Sequence, residues 1–182
     1  MNTDKLKNLN ACCDAIEWVA TQRNYKEAWQ NCERGDWMLW LAKRLKVDDR
    51  KITLAKFKCA NQVRHLMKDK RSIVALDAAE KYGNGEINRE KLNAVAVDAY
   101  TAAAYAAAAY ADAYAAAAAY AAAAYTNAYA DAAAYAAYAA AAYTANVFTG
   151  DIVRKESLKK SADICRDILT EEVLTAYKKM KP

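Results

Sequence analysis

Residue types that commonly carry catalysis are sparse in this chain of 182 residues. Nucleophilic catalysis needs a nucleophile beside a base and an orienting group, but the sequence offers a single histidine, His65, inside a predicted helix. It contains no glycine-rich phosphate loop and neither the HExxH nor the GxSxG motif, which position a metal or a serine nucleophile. We therefore expect a protein that is not an enzyme.

Potential metal ligands are equally scattered. The five cysteines are an odd number and no two have the CxxC spacing of zinc sites. Carboxylates at helical spacing, such as Glu86 and Glu90, lack the ExxH partner that accompanies them in metal-binding bundles. We expect no metal and no cofactor, and we expect buried free thiols at Cys12, Cys13, Cys32, Cys59 and Cys165.

Aromatic and charged residues near the start of the chain are better suited to binding. All four tryptophans, at positions 18, 29, 37 and 40, lie in the first 40 residues. They either interlock short helices as a core or form a partly exposed patch, since tryptophan is enriched at binding hot spots. The candidates for contact with a partner are Arg34, Asp36, Trp37 and Trp40.

A second set of candidates is suited to a nucleotide or to a polar partner group. Tyrosine rings can stack on bases, and Arg64 and Arg71 can meet phosphates. Two aspartates in the middle of the chain either keep a helix face soluble or contact a basic group, and the tyrosines around them are either packed or exposed. The candidates in this region are Tyr110, Asp112, Tyr125 and Asp131.

Helices are the elements expected to position these residues. The chain has four glycines and one proline, the residues that most often interrupt regular structure, whereas alanine, the best helix former, is abundant. The predicted fold is all-α: a bundle of short helices packed on one long or two broken Ala/Tyr-rich helices. We expect a single domain over residues 1–182.

Residues 1–85 predict a run of short amphipathic helices. Asn10 is expected to cap a helix over 11–22 and Asn24 a second helix. Gly35 is expected to act as a left-handed stop before the chain restarts. Another helix is predicted to begin at Asp48 or Asp49. The last helix of this region is predicted over 72–82, and a loop is predicted at 83–85.

Residues 86–146 form an alanine–tyrosine tract whose start Asn88 is expected to cap. Nine of the ten tyrosines between positions 100 and 143 fall on about half of a helix circumference at ~100° per residue. A single helix would extend for roughly 60–70 Å. We expect either a break near Thr126-Asn127 or one long spine.

Residues 147–182 are expected to close the bundle with two helices. The segment Thr149-Gly150-Asp151 predicts the start of the first helix, and Thr170 predicts the start of the second.

Charge and hydropathy favour the cytoplasm over a membrane. The net charge is +5, and charges of both signs are mixed along the predicted helices, as on solvated faces. The long Ala/Tyr tract lacks the strongly apolar residues that a bilayer-spanning helix requires.

The segment Cys32 to Leu41, preceded by Ala28-Trp29, resembles an immunity-protein family found in phage genomes and in bacterial polymorphic-toxin operons. The order of parts is also similar: an early Cys-x-x-Ala-x-x-Trp ending at Trp18, then this segment, then an Ala-rich helix with tyrosines. A short aromatic-to-glycine turn matches the family at residues 81–85. The resemblance covers most of the chain and implies an all-α fold and an immunity role.

The leading functional hypothesis is a phage or mobile-element protein that neutralises a toxin or host defence effector by direct binding. One alternative is a sponge that sequesters a cyclic nucleotide second messenger. Another is a structural protein that self-associates into a homo-oligomer, and a nucleic-acid binder is a fourth.

Overall fold

The computed structural model describes residues 3–62, 64–66, 70–95 and 147–180, and every regular element in those ranges is helical. This confirms the all-α fold and the bundle of short helices. Most of the Ala/Tyr tract, including its expected break, lies outside the described residues. The elements are α1 (Asp4–Asn8), α2 (Cys13–Ala20), α3 (Tyr25–Asn31), α4 (Gly35–Arg44), α5 (Asp49–Asn61), a 3-10 turn (Arg64–Leu66), α6 (Lys70–Gly83), α7 (89–95) and α8 (Val147–Lys179).

Polar side chains begin several of these helices as the sequence predicts. The Asn24 side chain accepts a hydrogen bond from the backbone N–H three residues on (2.9 Å), and Asn88 does the same (3.0 Å). Asp48 accepts two such bonds at the start of α5. The prediction for Asn10 is wrong: α2 begins after Cys12, and Asn10 itself adopts a left-handed φ of 60°.

Helix α8 is the element on which the bundle packs. It contacts α3, α4 and α5 through a stripe of small and branched side chains spaced three or four residues apart, the spacing of one helix face. The stripe is buried together with Met38, Leu39, Ala42, Ile52 and Ala55. A smaller core joins α5, α6 and α7. The α8 stripe comprises Ala162, Cys165, Leu169 and Val173.

Two predicted helix starts are wrong, because α8 runs without interruption for 33 residues. The Thr149-Gly150-Asp151 segment lies within its first turns. Thr170 lies in its interior, where its hydroxyl donates to the Arg166 carbonyl (2.6 Å) and accepts from the Trp29 indole (2.8 Å). A threonine that bonds the carbonyl four residues back fits a helix interior, so the capping pattern at Thr170 does not mark a helix start.

Gly35 marks a close crossing of α4 and α8. A Cβ added to Gly35 would lie 2.5 Å from the Ser161 Cβ and 2.7 Å from the Ala162 nitrogen. The predicted left-handed stop is wrong: of the glycines in the described ranges, Gly85 is the one with a positive φ, and Gly35 is the first residue of α4. The missing side chain therefore serves helix packing.

The link between α3 and α4 is held from α8 by an arginine. Arg166 donates from Nη1 to the Cys32 carbonyl (2.7 Å) and from Nη2 to the Asp163 carboxylate (2.6 Å). Because that link leads directly into Arg34 and Asp36, this contact fixes the backbone from which both side chains project.

The cysteines divide into two environments. Cys32, Cys59 and Cys165 are buried, as expected, but Cys12 and Cys13 are exposed, which corrects the prediction for those two. Burial raises the pKa of the Cys32 thiol to about 11, so it stays protonated at neutral pH. The two exposed cysteines lie at the start of α2: Cys12 precedes the helix and Cys13 is its first residue.

Lys56 on α5 is 5% exposed, and burial, reinforced by the charge of Lys43, lowers its pKa to about 8. The pKa of Lys56 is therefore lower in the folded protein than in the unfolded chain. Below pH 8 the side chain is charged in both states, and the cost of burying that charge destabilises the fold. We expect Lys56→Met to raise the free energy of unfolding by about 3 kcal/mol at pH 6. This gain should shrink as the pH rises from 8 to 10.5, where the unfolded chain also loses the proton.

The measurement is urea unfolding followed by circular dichroism at several pH values. Lys58→Met is the matched control, because Lys58 is exposed on the same helix. An equal gain from both variants, or a gain that does not change with pH, would contradict the assignment.

Candidate functional site

A pocket of about 400 Å³ lies between α2, α3, α4 and the last turns of α8. This volume is in the range of small-molecule sites, which are mostly apolar with a few polar groups. The walls combine aliphatic and aromatic side chains with one arginine and one aspartate. We call it the aromatic pocket, after the lining residues Trp18, Tyr25, Trp29, Trp37, Trp40 and Tyr177.

The tryptophans of this pocket differ in burial. Trp29 is buried, 4% exposed, and forms part of the core. Trp18, Trp37 and Trp40 are half-buried and pack against the outside of that core. The rings of Trp18 and Trp37 lie 6.1 Å apart with an angle of 54° between their planes, a favourable tilted pair. Three of the four tryptophans thus leave part of their surface accessible to solvent.

An ion pair stands at the start of α4, on the pocket wall. The Arg34 guanidinium donates from Nε and Nη2 to the two oxygens of Asp36, at 2.9 and 2.5 Å. Its carbon also lies 4.3 Å from the centre of a Trp37 ring, which adds a cation–π attraction. The hydrogen bond to Asp36 raises the pKa of Arg34, so the guanidinium stays charged.

Tyr177 of α8 lines the pocket and carries a buried hydroxyl. The residue is 5% exposed, and its hydroxyl has no hydrogen-bond partner of ordinary geometry in the described parts of the chain. Its ring lies 4.1 Å from that of Tyr25. Burial, and secondarily the neighbouring Tyr25 hydroxyl, raises the pKa of Tyr177. The Tyr177 hydroxyl is therefore buried and stays protonated at neutral pH.

Four sequence-predicted residues meet at this site. Arg34, Asp36, Trp37 and Trp40 all line the pocket. Arg34 immediately precedes α4, and the other three residues lie within it. The segment was selected for its residue types, and the structure adds the cavity that they border.

The other predicted residues do not join them. Arg64 does not line the pocket and pairs with Asp77 of α6 (2.5 Å). Arg71 is exposed on α6 and does not line the pocket either. The remaining four candidates, Tyr110, Asp112, Tyr125 and Asp131, lie outside the described residues.

Sequence reasoning missed the residues that other helices contribute. Tyr177 and Val173 come from α8, more than 130 positions after Trp37. Tyr25 and Cys12 were not proposed as binding residues either. Only the apolar spacing of residues 173 and 177 hinted at a buried face, and nothing in it indicated which helix would lie opposite.

The described lining residues of the pocket include one cation and one anion, and these two are paired with each other. Within the described ranges, no group of three or more His, Cys, Asp or Glu side chains lies together as a metal site would require. His65 is exposed and does not line the pocket.

Within the same ranges, no helix combines the length and apolar character that crossing a membrane requires.

Comparison with known proteins adds no relative: no family model, curated protein or solved structure matches this chain.

Proposed function

We propose that this protein is a non-catalytic immunity or anti-defence protein that neutralises a toxin or defence effector by direct binding through the aromatic pocket. The observation that carries the proposal is the convergence of Arg34, Asp36, Trp37 and Trp40 on one concave, partly exposed wall. Tryptophan and arginine are the residues most enriched at binding hot spots, which favour pockets that lose water on binding.

The volume and composition of the pocket support a protein partner. An apolar group inserted between the indoles would displace water from aromatic surface, which is the main source of binding free energy. The paired charges of Arg34 and Asp36 at the wall supply orientation, as polar groups do in mainly apolar sites. The phage or mobile-element origin comes from the sequence resemblance.

The nucleotide-sponge alternative has less support from the geometry. Phosphate groups are usually bound by several arginine or lysine donors, whereas the described lining residues hold one cation, Arg34, whose Nε and Nη2 already donate to Asp36. Arg64 and Arg71, which the sequence suggested for phosphate contacts, do not line the pocket.

The test is rescue of bacterial growth during co-expression with a panel of polymorphic-toxin domains and phage-defence effectors. The wild-type protein should rescue growth from at least one of them and copurify with it in a stoichiometric complex. Trp37→Ala/Trp40→Ala should weaken that complex by about 30-fold or more and abolish rescue.

Val74→Ala is the matched control, because Val74 is an exposed apolar residue on α6, away from the pocket. It should rescue growth like the wild type. Rescue from none of the panel, or full rescue by the double tryptophan variant, would overturn the proposal.

A further inference from the structure

We infer that the aromatic pocket binds an aromatic group that carries a carboxylate, with the ring among the indoles and the carboxylate on Arg34. This inference deepens the proposed function and rests on the same pocket. It names the chemistry of the occupant, whether that is a free aromatic acid or the carboxyl-terminal aromatic residue of a polypeptide.

The accessible side of the ion pair is its cationic side. The Arg34 side chain is 34% exposed, whereas the Asp36 side chain is 15% exposed. A guanidinium has five N–H donors, and Arg34 directs Nε and Nη2 to Asp36. Among the described residues, the hydrogen bonds of the guanidinium come from Nε and Nη2, and Arg34 lines the pocket. We therefore assign the two N–H groups of Nη1 as the donors for an acceptor that enters the pocket.

The rest of the wall selects an aromatic body. Trp18 and Trp37 offer tilted indole faces, and Trp40 extends the same side of the pocket. Aromatic rings favour offset or edge-to-face contacts with such surfaces. The occupant is therefore a flat apolar group whose one strongly polar end reaches Arg34.

A cationic ligand fits the same surface poorly. Arg34 already covers one face of Trp37 and neutralises Asp36. A cationic ligand in the pocket would therefore meet the like charge of Arg34 rather than a free carboxylate. The local charge distribution thus separates aromatic acids from aromatic amines of the same shape.

The first experiment compares three probes that share one ring and chain length: 3-phenylpropionate, its primary amide and 3-phenylpropylamine. Binding is measured by quenching of tryptophan fluorescence on the full-length protein. The acid should bind about tenfold or more tightly than the amide, the range of a charge-assisted hydrogen bond, and the amine most weakly. Equal affinities for acid and amine would overturn the inference.

Two variants should shift this preference in opposite directions. Arg34→Gln should lose the tenfold preference for the acid and gain affinity for the amine, because Asp36 is then unpaired. Asp36→Asn should strengthen acid binding, because Arg34 is released from its ion pair. Arg44→Gln is the control: Arg44 lies on the same helix, beside Trp40, but does not line the pocket. If Arg34→Gln does not fold, the opposite response of Asp36→Asn still decides.

The exposed cysteines report where the probe binds. Cys12 and Cys13 are both exposed, but only Cys12 lines the pocket. Saturating 3-phenylpropionate should slow alkylation of Cys12 by N-ethylmaleimide, followed by peptide mass spectrometry, and leave Cys13 unchanged. Equal protection of both thiols, or protection of neither, would place the probe elsewhere and overturn the inference.

A peptide arm separates the two sources of the ligand. Acetyl-Ala-Ala-Phe with a free carboxylate is compared with its amide under the same assay. An acid preference there assigns the occupant to a polypeptide carboxyl terminus, and a preference confined to 3-phenylpropionate assigns it to a free acid. Failure of growth rescue by every toxin would overturn the proposed function without changing these affinities, so the two outcomes are distinguishable.

Discussion

Gly35→Ala should destabilise the protein by about 3 kcal/mol, at the upper end of the usual cost of overpacking. The added methyl group would meet the Ser161 Cβ at 2.5 Å and backbone atoms of Ser161 and Ala162 at 2.6 and 2.7 Å. Backbone atoms cannot rotate away as a side chain can, so α4 and α8 must separate. The higher helix propensity of alanine offsets at most about 1 kcal/mol. Urea unfolding followed by circular dichroism measures the change.

Two further variants distinguish this explanation from a general effect of substitution. Thr175→Ala, at an exposed position on α8, should change stability by less than about 0.5 kcal/mol. Ser161→Gly combined with Gly35→Ala should not restore stability, because the backbone contacts persist. A stable Gly35→Ala variant would contradict the close crossing of the two helices.

Trp29→Ala should have an effect of similar or greater size, about 3–5 kcal/mol. Trp29 is 4% exposed, lies in the main core and donates its indole N–H to the Thr170 hydroxyl at 2.8 Å. The substitution removes a large buried ring and that hydrogen bond together. Trp29→Phe should cost less, because it keeps most of the apolar volume. Chemical denaturation with both variants gives the comparison.

Trp37→Ala is the matched control for this prediction. Trp37 is half-buried on the pocket wall, so its loss should destabilise the fold clearly less than the loss of Trp29, while binding is impaired. If both truncations cost the same, the division of the tryptophans into a core member and pocket members would be wrong.

Local signals explain the part of the fold that the sequence predicted well. Asn24, Asp48 and Asn88 cap helices because a side-chain oxygen can reach a backbone N–H two or three residues on. Such contacts depend on neighbouring residues alone. The same logic failed at Thr170, whose hydroxyl bonds within the helix and to Trp29 instead.

Contacts across the chain were beyond sequence reasoning. A glycine can end a helix, or it can allow a neighbouring helix to pack closely. At Gly35 only the position of α8 decides between these two roles. In the sequence, Arg166 cannot be distinguished from a solvated arginine, because its partner, the Cys32 carbonyl, is brought beside it only by the fold. Both depend on pairings between residues more than 125 positions apart.

The sequence predicted one wall of the candidate site and not the other. Residue types identified Arg34, Asp36, Trp37 and Trp40, because charged and aromatic residues at helical spacing suit binding. The opposite wall, with Tyr177, could not be predicted, because periodicity shows that a face is buried but not what it faces. The pocket itself is a property of the packed helices.

The most direct test of the central claim, that the aromatic pocket is a binding site, uses the indole N–H signals in a proton–nitrogen correlation spectrum. Titration with 3-phenylpropionate should shift the signals of Trp18, Trp37 and Trp40. The signal of Trp29 should move least, because its N–H is held by Thr170. If none of these signals moves, or if shifts cluster on α6 instead, the pocket is not the site of binding and the account is contradicted.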